Sequence, residues 1–446
     1  MRGYGVRVAK GRGVRGFVGF LALLGIVGLV VVYSLVTGWK VLPDTGNWFT
    51  KLSSSLTALS KPKPTWQTSV GDQPEVAVAG DGAVVVISDG GVEAHRMSNG
   101  EKIWHRNAAW AGVGGSGDNI VILGHTGRKH GYDAVAADTG AVEWTNSSAI
   151  AVWTYTDLIL DLTCPADNSC DLTARSPATG AARWKTRLAG RAQRLAGANT
   201  ALSSPRPFDG TIQPPQPAPP LLGFPIDSQI QVVASASGRR LHTYEPTKDT
   251  RMVVAGNRVV ESTAVLRDGS CRYTVQGRDP DGDRQVWQRS GYDLKTSSGV
   301  ACEQREDPLG GGGLLEAVGP DNREVLLSST TGAPVYKLAA GDTTVATDGR
   351  VALVRTADGK AVRAVSLSGG ASLWTRDCDK SIKVDFASGV ALFTDAGQGT
   401  LVALSSSGGT LIDVKSGATL LGYAQNGLVI HIGLRVGLVT YGSSTR

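Results

Sequence analysis

The sequence predicts an all-β fold, a β-propeller of about eight four-stranded blades over residues 65–446, preceded by one N-terminal transmembrane helix. Tryptophans recur 40 residues apart at Trp104, Trp144 and Trp184, each four residues after a turn glycine. The glycine turn returns through the rest of the chain to make eight copies. An uncharged run of 21 residues precedes them all, and beyond residue 40 no stretch of ten or more residues has the 3.6-residue periodicity of an amphipathic helix.

Residues 1–16 form a basic tail. Arg2, Arg7, Lys10, Arg12 and Arg15 supply five positive charges with no acid among them, most of the formal net charge of +6. The body that remains is nearly neutral and lacks clustered Lys and Arg interleaved with aromatics, so no nucleic-acid partner is expected. Residues 17–37, FVGFLALLGIVGLVVVYSLVT, would span roughly 30 Å as a helix, enough to cross a bilayer's hydrocarbon layer. Only Lys40, Asp44 and Lys51 follow closely, so the positive-inside bias puts the N-terminus in the cytoplasm and the body on the extracytoplasmic side. A cleaved signal peptide would have a shorter apolar core and a small-x-small site; SLVTGWKVLP offers no good site, and no cysteine follows for lipid attachment. The expectation is an uncleaved single-pass anchor in the cell membrane, with Trp39 and Trp48 suited to the interface. Residues 38–64 are mixed polar, end in a Lys-Pro repeat and read as an extended linker.

The five cysteines fit an oxidising compartment. Cys164 and Cys170 bracket a short loop, Cys271 and Cys302 are close enough to form a second pair, and Cys378 is left over. Spacing alone does not fix this connectivity; the alternative is five free thiols. Structural zinc is not expected, because there is no C-x2-C and no nearby histidine pair.

Each repeat has an apolar strand such as VVVIS at residues 84–88, an alternating strand such as YDAVAAD, a glycine turn and an aromatic strand. The turn glycines are Gly100, Gly140, Gly180, Gly238, Gly282, Gly332, Gly370 and Gly409, and the aromatics expected to dock between blades are Trp104, Trp144, Trp184, Trp287, Tyr336 and Trp374. Glycine tolerates positive φ in the hairpin, and the aromatic supplies a large apolar anchor against the next sheet. Sandwich domains would not repeat this element at a constant 40 residues. The C-terminal GLVIHIGLRVGLVTYG is expected to complete the last blade with TWQTSV, residues 65–70, as its outer strand, which removes an open edge. Counting that sheet separately gives nine; eight is the expected number. Residues 203–225 carry eight prolines and read as a solvated insertion within one blade.

The grammar resembles the quinoprotein-type, or PQQ-like, β-propeller repeat, approximately A-x-D-x-x-T-G-x-x-x-W, and AADTGAVEW at residues 136–144 is its best match here. The resemblance covers roughly residues 65–446 and implies about eight blades. It also invites a quinone, a calcium ion and an aspartate base for alcohol or sugar oxidation. The adjacent cysteines and long inserts of the quinoprotein dehydrogenases are missing here, so no cofactor is expected. The same repeat type occurs in a lipoprotein that helps to assemble outer-membrane proteins, from which this chain differs in its anchoring.

No motif yields a catalytic or metal-binding residue. Asp279, Asp281 and Asp283 alternate as calcium ligands do, but they fall in a hairpin turn and lack the later glutamate. His125 and His130 flank Arg128 and Lys129, which would repel a metal. No G-x-S-x-G elbow is present, and the glycines at residues 310–313 lack the Lys-Ser or Lys-Thr of a phosphate loop and read as a flexible connection. The expected function is a non-enzymatic, membrane-anchored scaffold that binds a protein or ligand in the cell envelope; the alternative is an oxidoreductase with quinone and calcium at the propeller axis.

Overall fold

The computed structural model describes residues 64–440, apart from 191–215 and the short stretches 72, 81, 89–90, 109, 117–119, 128–129, 166–168, 283, 298–301, 305, 388, 396–399, 415–417, 425–426 and 433. The basic tail, the apolar run 17–37 and nearly all of the linker lie outside the described residues. Among those described, no helix is long and apolar enough to cross a membrane.

The described residues form nine antiparallel sheets, in chain order around a propeller. Blade 1 shows the plan, with strands Pro74–Ala79, Ala83–Ser88, Gly91–Arg96 and Lys102–Arg106 running from the centre outwards. First strands of successive blades meet, as blade 1 with blade 2, blade 2 with blade 3, and blade 9 back onto blade 1. Second strands are covered on both faces by neighbouring sheets, which is why VVVIS, IVIL and VALV are continuous apolar runs rather than alternating ones. Val84, Val85 and Val86 are all essentially fully buried.

The count corrects the expected eight. Each of the eight glycine turns belongs to one blade, and the ninth has none: Thr419–Ala424, Gly427–Ile432 and Arg435–Thr440 are completed by Trp66–Ser69 from the start of the body, in the register Trp66↔Leu438 to Ser69↔Arg435. The expected closure is therefore present, as a blade of its own. Blade 4 has three described strands, Leu221–Ile226, Gln229–Ala234 and Arg240–Tyr244, and the Gly238 turn identifies them with the second to fourth strands elsewhere. Much of the proline-rich segment lies outside the described residues, but its last part is not insertion: Leu221–Pro225 is strand. The four glycines are not a flexible connection either. Gly310–Gly311 is the first strand of blade 6, and a Cβ on Gly312 would stand 2.5 Å from the Asp348 carbonyl of the neighbouring turn, an approach only glycine allows.

The seams between blades are built on one contact. At Gly180, with φ +67°, a Cβ would lie 2.5 Å from Cδ2 of Trp144, so the indole of blade 2 lies directly on the backbone of the blade 3 turn. Its Nε1 donates to the Pro177 carbonyl at 2.9 Å. Trp104 stands likewise on Gly140 and donates to Ala137 O, Trp184 on Gly238 and to Ser235 O, and Trp287 on Gly332 and to Ser329 O. Trp66 closes the series on Gly100, donating to Met97 O at 2.7 Å.

Variations follow from side-chain chemistry. Tyr336 reaches Gly370 only at ordinary contact distance, and at blade 4 Tyr244 donates its hydroxyl to Asp279 O. Gly408, rather than Gly409, has the positive φ and receives Trp374, while buried Ile412 takes the aromatic position of blade 8. Gly282 has no positive φ and faces open space.

Gly180→Ala should therefore lower the stability of the propeller by roughly 2–4 kcal/mol, from left-handed strain plus the clash with Trp144. Gly282→Ala should stay within about 0.5 kcal/mol of the parent. Equal shifts in urea midpoint for the two variants would contradict the docking assignment.

Candidate interaction face

The six predicted aromatics and most of the turn glycines meet pairwise at seams, where they hold blades together and form no common site. Functional groups must be sought on the other face, which carries the turns between second and third strands and the connections between blades. Both disulfides lie there. Cys164–Cys170 closes the blade 3 turn, and Cys271–Cys302 ties blade 5 to the connection that follows it. Cys378 is free and half-buried.

Among the described residues, two hollows on this face carry polar side chains. The larger, about 920 Å³, is lined by Asp342, Thr356, Asp358, Lys360, Cys378 and Asp379 among others. Two of its acids are occupied in local structure. Asp342 receives the Ala357 amide at 3.0 Å and the Arg363 guanidinium, and Asp358 accepts from the Lys360 amide and the Thr356 hydroxyl, which hold its carboxyl below the usual range. Arg355 donates to the Cys378 Sγ at 3.6 Å and to nearby carbonyls. The smaller hollow, about 280 Å³, holds Arg106, His125 and Asp133. His125 Nε2 lies 3.1 Å from Asp133 Oδ1, which also accepts from Thr145 at 2.7 Å. Burial alone would raise Asp133, but the hydrogen bonds from Thr145 and His125, together with the charge of nearby Arg106, outweigh it and hold the carboxyl low.

Other buried polar groups bind blade to blade. Asp161 of blade 3 accepts from Tyr132 at 2.8 Å and Asn146 at 2.9 Å, both in blade 2, and from Arg175. Burial, then the Asp161 charge, raises the Tyr132 phenol far above its ordinary range. In blade 6, burial pushes Glu316 up to about 7, against the opposing pull of Lys295 and with the added push of Glu324; Lys295 itself pairs with Glu324 at 2.5 Å.

The side chains of the described residues do not fit a quinone with calcium. Among the described residues no three His, Cys, Asp or Glu side chains are grouped to hold a metal. Of the alternating aspartates, Asp279 binds Arg284 and Asp281 binds Arg239. Of the four bonded cysteines, Cys164, Cys170 and Cys271 belong to second-to-third-strand hairpins and Cys302 to the connection after blade 5, with no adjacent pair to lie beneath a ring.

The feature that sequence reading missed is on blade 5. Its second and third strands, Arg258–Arg267 and Ser270–Arg278, are ten and nine residues long against five or six in most blades, and they pair continuously to Arg267↔Ser270. Asp268 and Gly269 both have positive φ, the two-residue turn that matches strand twist. Asp-Gly between alternating segments was its signal. The inner strand pairs only as far as Thr250↔Thr263 and the outer only to Thr274↔Ser290, so the tip overhangs the blade. Several bonds hold the overhang and its base to the following connection: the Cys271–Cys302 disulfide, the Gly291 amide to Tyr273 O at 2.8 Å, Tyr273 to Ser297 at 3.3 Å and, at the base, buried Ser262 to Thr296 at 3.0 Å. Val265 and Leu266 at its tip are 40% and 52% exposed.

A family described as outer membrane protein assembly factor BamB matches residues 272–427. Among solved structures, BamB from Moraxella catarrhalis is 14% identical, covers 85% of this chain and 99% of its own, and has a TM-score of 0.38. The computationally designed Ika8 protein is 13% identical over 85% and 99%, with a TM-score of 0.41. Quinohemoprotein alcohol dehydrogenase from Comamonas testosteroni is 13% identical over 86% and 77%, with a TM-score of 0.36. No curated protein matches the chain by sequence.

Glu316 makes stability pH-dependent. Its folded pKa lies above the ordinary 4.5, so the folded state holds the proton more tightly, and stability falls as pH rises from about 4.5 to about 7 and then levels. Across that window Glu316→Gln should gain on the parent by at most about 3 kcal/mol. Urea titrations at pH 5 and pH 8 check this; an unchanged difference between the two proteins would place Glu316 in solvent.

Proposed function

The chain carries PQQ-like β-propeller repeats, matched over residues 272–427, and we propose that it is a non-catalytic scaffold that holds a protein partner at the extracytoplasmic surface of the cell membrane. The stapled overhang of blade 5 carries this reading. Beyond Thr263 and Thr274 the hairpin's outer edges pair with no strand of its own blade, so its tip offers free backbone groups beside exposed Val265 and Leu266, and the cross-link fixes its shape before any partner arrives. The two disulfides suit an oxidising compartment, in keeping with residues 17–37 as an anchor that leaves the body outside the cytoplasm. The described chain enters the propeller at the glycine-turn side, where Trp66 meets Met97, and the overhang stands on the other.

A photoreactive amino acid at Leu266 should capture a discrete envelope protein in intact cells, whereas the same probe at exposed Glu143 on the outer rim should not. Equal labelling at both positions would remove the overhang as the docking surface. Saturable uptake of pyrroloquinoline quinone with calcium, followed by absorbance of the detergent-purified protein, would overturn the non-catalytic reading.

A further inference from the structure

The two faces of the overhang differ. Leu266 pairs with Cys271 and shares the face that the disulfide ties down; Val265 pairs with Arg272 and shares the opposite face with Arg267 and Ser270. On that free face Val265, Arg267 and Arg272 are all exposed, and neither guanidinium has a hydrogen-bond or ion-pair partner among the described residues. Glu261, deeper on the same face, is already neutralised by Arg278 at 2.8 Å, and Asp268 stands in the turn beyond. The result is an aliphatic side chain between two uncommitted arginines on a rigid support.

We propose that this face binds an extended acidic segment of the partner protein, with two carboxylates spaced acid-x-acid and an aliphatic residue beside them. Arg267 and Arg272 are diagonal neighbours across the hairpin, roughly 7–8 Å apart at their roots. Same-side residues of an extended peptide repeat at about 6.6–6.8 Å, so two alternate carboxylates can meet both guanidiniums at once. Val265 between them offers the apolar contact that distinguishes a peptide from a bare phosphate. Arginine is also enriched at interface centres, where its planar fork binds carboxylate in two-point fashion. This inference rests on the scaffold reading above and specifies its partner.

The test is selection of a displayed random peptide pool on the full-length protein in detergent. Sequences with acid-x-acid next to an aliphatic residue should be enriched, and a synthetic copy of the leading one should bind the Arg267→Glu, Arg272→Glu double variant at least tenfold more weakly. A lysine-substituted copy of that peptide should regain binding to the double variant. Both substitutions are at exposed positions, and an unchanged melting curve checks the fold. Enrichment of sequences without acids, or binding indifferent to the double variant, overturns the proposal. So does arginine-dependent flotation with phosphatidylglycerol vesicles when no peptide is enriched. If Leu266 still cross-links a partner in cells while acidic peptides fail, the scaffold stands and only this inference falls; if both fail, the scaffold falls with it.

Discussion

The indole resting on a glycine backbone is the contact on which the rest of the molecule depends. A blade alone is a small sheet with two apolar faces, and it becomes stable only when neighbours cover both. The seam must therefore combine area with registration. The indole supplies the area, and its Nε1 bond to a carbonyl three residues before the glycine fixes where along the seam the ring lies. Glycine is required because the ring occupies the space a Cβ would take. One substitution at either partner is felt by two blades at once.

A ring of such seams has a start and an end that must meet. Trp66 performs that closure, as both the first described tryptophan and the outer strand of the last blade, with Thr65 and Thr440 bonded at 2.6 Å beside it. The fold cannot close until its C-terminal strands are in place, so the contact of greatest sequence separation is also the one that removes the last open edges. The Cys271–Cys302 link, across 31 residues, adds about 4 kcal/mol in the chain-entropy view, against about 2 kcal/mol for the six-residue Cys164–Cys170 loop. The greater constraint falls on the overhang, which has the least sheet around it.

How much of this could be read from the residues depended on repetition. Trp104, Trp144 and Trp184 at a constant 40 disclosed blade, turn and seam together, because one geometric demand had been met three times with the same side chains. Where chemistry varied, legibility fell. Trp66 belongs to the same series but precedes the first turn, so the ninth blade was folded into the count of the eighth. Gly408 and Gly409 are adjacent, and composition does not say which one lies under Trp374. The glycines at 310–313 suggested slack, whereas close packing of neighbouring turns is what excludes a side chain there. The blade 5 overhang occurs once, and a feature without repeats is weak in a search for periodicity even when its Asp-Gly turn is plain.

The same logic separates structural from functional polarity. Asp161, Glu93 with Lys102, and Asp342 with Arg363 are charged but already matched, each within or between blades, so removing one partner would leave a buried charge uncompensated. Such groups are costly to displace and poor hosts for a ligand. Arg267 and Arg272 are the reverse: solvated, unmatched and held in a fixed relation by a backbone ladder that ends in a disulfide. A rigid ring spends its internal charges on its own seams. Recognition then passes to elements that project beyond the ring, and among the described second-to-third-strand turns, blade 5 has by far the longest paired projection.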